Sequence, residues 1–286
     1  MKKVLILGAG GMAGHVVAEY LSQKPGYEII RCARSAVTPD TILLDVTALA
    51  KVEEVLRGKH PDIVINCVGL LVQESQERLD KAILINSYLP HFLSRLGRKY
   101  GFKLIHISTD CVFSGKRGGY LEDDFRDGDT PYARTKALGE VINDVDLTLR
   151  TSIIGPELKP DGTGLLHWFL MQKGTIKGYT KVYWSGVTTL ELAKVADHCI
   201  CHRVSGLINL TMREKISKYA LLVLFKNIWG QGDVTIERED GVVCDKSMLS
   251  SRCDFKFQFP LNYPAMFVEL RNFMNQHRDW YRHYTW

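Results

Sequence analysis

Lys3-Val4-Leu5-Ile6-Leu7-Gly8-Ala9-Gly10-Gly11-Met12-Ala13-Gly14 is the stretch that decides the fold. A short apolar run reads as a buried strand, and it empties into a glycine cluster from which a helix continues to about Gln23. Gly8, Gly11 and Gly14 keep the spacing that permits a tight turn, close approach of a pyrophosphate and close packing of helix on strand. The helix N-terminus then offers free amides and a positive dipole end to phosphate. Gly8, Gly11, Met12 and Gly14 are therefore candidate cofactor-binding residues, and the expected fold is α/β, a Rossmann-type doubly wound parallel sheet. The same start imitates a signal peptide, but Gly8 cuts the apolar run too soon for a targeting core, so a cytoplasmic location is expected.

Moving outward, Pro25-Gly26 is a turn and Tyr27 to Cys32 a second strand. Its end carries Arg31, Arg34 and Ser35 with no acid, and Glu28 lies at the wrong end. An acid there holds the ribose hydroxyls of NAD, whereas arginine suits the extra phosphate of NADP. Arg34 and Ser35 thus point to NADP(H), with NAD(H) as the weaker fit. Thr41 to Val46 reads as a third strand with Asp45 and Val46 at its mouth, near where an adenine would lie. A helix follows from about Leu49 to Arg57. Asp62 to Gly69 is continuous and apolar as parallel strands tend to be, and its end, Asn66-Cys67-Val68-Gly69, would pass under the cofactor. Leu79 to Tyr100 reads as one long helix bent at Pro90. Asn86 lies on it, placed either as a helix-face amide or as a support for the site.

Leu104-Ile105-His106-Ile107 is the next buried strand, ending in Ser108-Thr109-Asp110. After Pro131 comes Tyr132-Ala133-Arg134-Thr135-Lys136, which on a helix sets Tyr132 and Lys136 one turn apart on one face. A phenol titrates near pH ~10; a nearby ammonium is expected to lower that value and make the phenol a usable proton donor. Thr109 would offer a hydroxyl to the same substrate oxygen. The spacing alone is weak, since Tyr20-Leu21-Ser22-Gln23-Lys24 repeats it inside the first helix. Only Tyr132 follows a strand end bearing Ser-Thr-Asp. Tyr20 reads as structural.

Leu147 to Arg150 is a further strand, and beyond it the strand–helix alternation loosens. Residues 1–154 read as the dinucleotide-binding domain and 155–286 as a smaller, interleaved, mainly substrate-binding lobe. This lobe has helices at Leu165 to Gln172, Thr188 to His202 (capped by Thr188 or Thr189), Ser217 to Trp229 and Pro264 to Gln276. Between them lie β-like pieces from Gly174 to Trp184 and a strand from Gly206 to Leu210.

The 286 residues carry a formal charge of +5 with scattered bases. That argues against a nucleic-acid surface and suits an anionic small molecule. No apolar stretch is long enough to span a membrane. The seven cysteines lack paired spacing and read as reduced thiols. His198-Cys199-Ile200-Cys201-His202 sprays its side chains around a helix, so no metal site is expected. The aromatic, basic tail Trp280-Tyr281-Arg282-His283-Tyr284-Thr285-Trp286 reads as packing on the body or on a second subunit.

Together, the glycine turn, Ser108-Thr109-Asp110 and Tyr132-x-x-x-Lys136 resemble an extended short-chain dehydrogenase/reductase. Ile107-Ser108-Thr109-Asp110-Cys111-Val112-Phe113-Ser114-Gly115, Arg150-Thr151-Ser152 and Ser185-Gly186-Val187-Thr188-Thr189 are similar to the dTDP-4-dehydrorhamnose reductase group. The resemblance implies Thr109, Tyr132 and Lys136 as catalytic residues, with Lys136 also holding the nicotinamide ribose. It adds Asn66, Val68, Gly69 and Asn86 on the cofactor side, and Asp110, Cys111, Ile153 and Trp184 on the substrate side. It implies NADPH-dependent reduction of a nucleotide-sugar 4-ketone in polysaccharide precursor synthesis, with a homodimer left open. Cys111 stands where the group usually has tyrosine and Ile153 where it usually has tryptophan, so the sugar stays open. A dehydratase would want glutamate at Cys111. An epimerase would hold NAD, against Arg34. A non-catalytic role is the remaining alternative, as in the regulatory subunit of methionine adenosyltransferase, which resembles this group.

Overall fold

The computed structural model describes residues 1–286. The chain runs β1 (Lys2–Leu7), α1 (Met12–Ser22), β2 (Tyr27–Ala33), β3 (Ile42–Leu43), α2 (Leu49–Lys59), β4 (Ile63–Asn66), α3 (Val72–Glu77) and α4 (Leu79–Ala82). A π-helical turn (Ile83–Tyr88) leads into α5 (Leu89–Tyr100), β5 (Lys103–Thr109), a 3-10 turn (Asp110–Val112), α6 (Pro131–Leu138) and β6 (Leu147–Thr151). Then come β7 (Ile153–Ile154), α7 (Leu165–Leu170), β8 (Gly174–Trp184), β9 (Val187–Thr188), α8 (Thr189–His202) and β10 (Gly206–Asn209). The chain closes with β11 (Ile216–Ser217), α9 (Lys218–Trp229), β12 (Val234–Asp245), α10 (Tyr263–Gln276) and a 3-10 turn (Arg278–Tyr281).

Seven strands form one sheet in the order β3-β2-β1-β4-β5-β6-β10, all parallel. The order reverses between β1 and β4, where a doubly wound sheet opens a crevice at its carboxyl edge. Side chains alternate across β1. Val4 and Ile6 join the core under α1, α8, α9 and α10, while Leu5 and Leu7 join the core under α2 and α5. Both faces are covered, which is why these strands read as continuous apolar runs rather than alternating ones.

Residues 155–286 divide between two tasks. Strand β10 extends the main sheet beside β6, and α8 packs into the same core as α1. The rest builds a second lobe around a small sheet ordered β11-β8-β12.

Two expected strands are shorter than their apolar runs. The third ends at Leu43 because Asp45 Oδ1 accepts from Thr47 N (2.9 Å) and turns the chain. The fourth ends at Asn66, whose Oδ1 accepts from Val68 N (3.1 Å). The long helix is not bent at Pro90 itself; the irregularity lies one turn earlier, in the π-helical turn, with Pro90 at the start of α5. The cap of α8 is Thr188, whose Oγ1 accepts from Glu191 N (3.2 Å). Strand β12 had no sequence signal: its Glu237-Arg238-Glu239-Asp240 run masks the pairing with β8. The aromatic tail packs on the body, with Tyr281 and Tyr284 fully buried.

Candidate active site

The glycine turn is built as its spacing requires. Gly8 has φ +81°, and a Cβ there would sit 3.0 Å from Val68 Cγ2. A Cβ on Gly14 would sit 2.1 Å from Gly8 O, so helix and turn touch backbone to backbone. Gly11 is the N-cap of α1, and no side chain caps the amides that follow. Those amides at the mouth of the sheet crevice fit a pyrophosphate. Met12 flanks the turn, its Sδ beside Gly164. The tail supports it from below: Tyr281 donates to His15 Nε2 (2.8 Å), and His15 Nδ1 donates to Gly11 O (2.8 Å). Burial holds His15 down to about 4, so it stays neutral.

Of the two arginines at the end of β2, Arg31 is taken. Its guanidinium lies 3.9 Å from both Glu19 and Asp40. Arg34 and Ser35 are exposed, and Arg34 has no ion-pair partner, which leaves it available to an added phosphate. Asp45 is exposed beside it, held below the usual carboxylate range by its bonds to Thr47, with the Arg34 charge adding to this. Val46 is buried behind it. Across the crevice Val68 is half-buried and Gly69 exposed, while Asn66 is fully buried.

Thr109 ends β5, and Tyr132 and Lys136 lie one turn apart on α6. Thr130 caps that helix by accepting from Ala133 N (3.1 Å), with Pro131 in the first turn. The π-helical turn fixes α6 from the other side: Ser87 Oγ donates to Thr135 O (2.7 Å) and Asn86 Nδ2 to Thr135 Oγ1 (3.2 Å). Asn86 also receives Leu70 N (2.8 Å). It is fully buried and reaches α6 through the Thr135 hydroxyl rather than through the lysine side chain. Lys136 Nζ donates to Ile107 O (2.7 Å). Burial brings Lys136 down to about 8, against the pull of Glu140 and Cys67.

The electrostatics correct one expectation. The phenol of Tyr132 is raised, not lowered. Burial is the main cause, Cys111 and Asp110 add to it, and the Thr109 hydroxyl offsets part of it. The lysine Nζ is turned toward Ile107 O and is not among the groups that act on the phenol.

Behind the strand lies a buried ion network that the sequence did not disclose. Glu140, one turn beyond Lys136, receives Arg150 through two bonds of 2.7 Å, Arg126 and Ser108 Oγ (2.8 Å). It locks the strand that carries Thr109 to the helix that carries Tyr132.

Asp110 and Cys111 open toward the second lobe. Burial raises Asp110, opposed by the charges of Lys246 and Lys218, and raises Cys111 to about 11. Neither lysine belongs to an ion pair, and no sequence signal marked them. Lys218 also lines a cavity of about 890 Å³ with Leu165, Trp168, Met171, Lys177 and Tyr179. Thr109, Tyr132 and Lys136 do not line this cavity; Lys218 connects the two regions. Ile153 is half-buried in β7. Trp184 corrects a second expectation: it is 2% exposed and packed against Tyr263 and Phe267, in the core rather than beside a substrate. Its place on the apolar side of β8 is what the Ser-Gly-Val context could not reveal. No three His, Cys, Asp or Glu side chains converge in a metal-binding group.

A parallel sheet with a glycine turn at its switch point and Thr, Tyr and Lys at its carboxyl edge defines the extended short-chain dehydrogenase/reductase architecture. The chain belongs to the RmlD substrate binding domain family, whose model matches residues 1–154. It is 35% identical over 156 residues to the spore coat polysaccharide biosynthesis protein SpsK of Bacillus subtilis, covering 54% of this chain and 52% of that one. The chain thus spans about half the length of the sequence relatives it matches. Among solved structures, a hypothetical dTDP-4-dehydrorhamnose reductase from Sulfolobus tokodaii has a TM-score of 0.75 at 28% identity, covering 88% of this chain and 93% of that one. A dTDP-4-dehydrorhamnose reductase from Bacillus anthracis, in complex with NADP, shares the fold at 21% identity and a TM-score of 0.80, covering 95% and 99%.

Proposed function

We propose that the protein is an NADPH-dependent reductase acting on the 4-ketone of a nucleotide-linked 6-deoxyhexose. The observation that carries this reading is the convergence of Thr109 with Tyr132 and Lys136 at the carboxyl edge of β5, between a phosphate-accepting glycine turn and a cationic, aromatic cavity. The cofactor would lie along Gly8, Gly11, Met12 and Gly14, with Arg34 and Ser35 at its added phosphate, Asp45 and Val46 at its adenine, and Val68 and Gly69 beneath it. A bound nicotinamide would supply the hydride. Tyr132 would donate a proton to the ketone oxygen as negative charge grows there, Thr109 would donate a hydrogen bond to the same oxygen, and Lys136 would hold the nicotinamide ribose. Asn66 and Asn86, both fully buried, hold the walls of this site.

On the substrate side, Asp110, Cys111 and Ile153 would border the sugar. Lys218 and Lys177 would meet the diphosphate, and Trp168 and Tyr179 the base. Residues 155–286 would then bind mainly substrate. Seven free thiols suit a reducing compartment such as the cytoplasm. No helix is long and apolar enough to cross a membrane. The exposed apolar side chains of Leu79, Ile83, Leu138 and Ile142 favour a homodimer through that face.

The test is NADPH oxidation against dTDP-, UDP- and GDP-linked 4-keto-6-deoxy sugars, with products identified by NMR. No turnover on any of them would overturn the reading.

A further inference from the structure

His106 is a buried titratable group on β5 that the chemistry above does not use; it is 0% exposed. Its wiring follows from its donors and acceptors. Val68 N donates to Asn66 Oδ1 (3.1 Å), so the opposite end of that amide, Nδ2, donates to His106 Nδ1 (3.2 Å). A ring nitrogen that accepts carries no proton, and a neutral imidazole then carries its proton on Nε2. Nε2 faces Lys136 Nζ at 3.5 Å, while Nζ is bonded to Ile107 O. An ammonium has three donors and no acceptor, so it would meet Nε2–H donor to donor. A neutral amine offers that hydrogen its lone pair. The opposite tautomer would need the Asn66 amide flipped, setting its NH2 against Val68 N–H. Double protonation is disfavoured: burial first, then the charges of Lys136 and His91, hold His106 well below the ordinary imidazole value.

We propose that His106 is a positioning residue for Lys136: its Nε2–H tautomer, fixed through Asn66 by the Val68 amide, steadies the lysine side chain against Ile107 O and favours its neutral amine. The groups facing Lys136 divide in sign. Burial works toward the amine, with His106 from β5; Glu140 just beyond α6 and Cys67 after β4 work toward the ammonium. Glu140 is itself paired with Arg150 and Arg126, and the other charge facing His106 is His91 on α5. The Nε2–H of His106 thus works on the same side as burial, toward the amine. A lysine near the ordinary ~10.4 would remain an ammonium throughout. This rests on the role given to Lys136 above, but its test needs no catalysis.

The experiment is NMR on ligand-free protein labelled with nitrogen-15 at histidine and with carbon-13 and nitrogen-15 at lysine, Lys136 being assigned by its loss in Lys136→Met. His106 should show the Nε2-protonated neutral pattern, and Lys136 should titrate well below the other lysines. His106→Gln puts an amide oxygen near the former Nε2, an acceptor for the ammonium. It should move the Lys136 midpoint up by about one pH unit or more, a tenfold change in the equilibrium. An Nδ1-protonated His106 overturns the proposal, as does an unmoved Lys136 midpoint in a folded His106→Gln. The tautomer is measured on unsubstituted protein, so it decides even if that variant fails to fold. If every ketone in the substrate panel is refused while tautomer and midpoint behave as expected, the functional reading falls and the His106 wiring stands.

Discussion

Tyr132→Phe removes one oxygen and leaves the ring. The helix start does not depend on that oxygen: Thr130 caps through Ala133 N, and Ser87 and Asn86 hold Thr135. The phenol is neutral at working pH because burial raises it, so the substitution changes no charge. At most one hydrogen bond is lost, about 1 kcal/mol, which in a chain of this size lowers Tm by only about 2–4 °C. The chemical step is affected far more. Losing a positioned general acid costs about a hundredfold to ten-thousandfold, or roughly 3–5 kcal/mol at about 1.4 kcal/mol per decade.

The assay is stopped-flow NADPH absorbance under single-turnover conditions, so that product release does not hide the chemical step, together with a fluorescence titration of NADPH. Turnover should collapse while cofactor affinity holds within about twofold. Tyr20→Phe is the control. Its partner Lys24, just past the end of α1, lies 4.7 Å over the ring, a packing contact, and turnover should be unchanged. Parent-rate reduction by a folded Tyr132→Phe would refute the assignment of the acid.

Arg34→Ala should raise KM for NADPH about tenfold and leave KM for NADH nearly unchanged, because a charge-assisted contact of roughly 1.5–2 kcal/mol is lost only with the phosphorylated cofactor; steady-state kinetics with both cofactors checks this, and equal effects would refute it. Gly14→Ala drives a Cβ to within 2.1 Å of Gly8 O, so the turn must open. Tm should fall by an amount matching about 1–3 kcal/mol, and calorimetric NADPH binding should weaken with it. Glu140→Gln should cost about 3–5 kcal/mol in urea unfolding at pH 7, since two arginines lose their carboxylate. Burial alone would raise Glu140, but the bonds and charges of Arg150, with that of Arg126, hold it below its ordinary value. Its contribution is therefore present above the unfolded value near ~4.3 and lost as pH falls through the lower folded value. The gap between parent and Glu140→Gln should narrow on acidification, and a gap independent of pH would refute the pairing.

Local chemistry made the first half of the chain legible. Gly8, Gly11 and Gly14 act through backbone clearance, which depends on neighbours only a few residues away, and the buried parallel strands declare themselves as apolar runs. The placement of Thr109, Tyr132 and Lys136 was readable because a strand end and a helix start frame them. Lys218, Lys246 and Glu140 were not, since each matters through partners that only the fold brings near: Asp110 for the two lysines, Arg150 and Arg126 for the glutamate. Trp184 misled for the same reason. One residue's difference in which face of β8 it occupies decides between cleft and core, and nothing in Tyr183-Trp184-Ser185 specifies that face. Pro90 announced an irregularity correctly but not its form. With no N–H on Pro90, the Asn86 carbonyl loses its ordinary helix partner, and the π-helical turn leaves it facing Gly139, where an added Cβ would lie only 1.8 Å away.

At the catalytic end of α6, Lys136 lies against Ile107 O and His106. The phenol and the lysine titrate in opposite senses, Tyr132 upward and Lys136 down to about 8. For reduction this division suits the task. A phenol that firmly keeps its proton cannot lose it to solvent before hydride transfer, yet it can yield it to an oxygen whose own basicity rises steeply as the ketone becomes an alkoxide. The more easily titrated group is the lysine, fully buried against Ile107 O and His106. In the reverse, oxidative direction a high phenol value would be a handicap, because the same oxygen would have to start as phenolate.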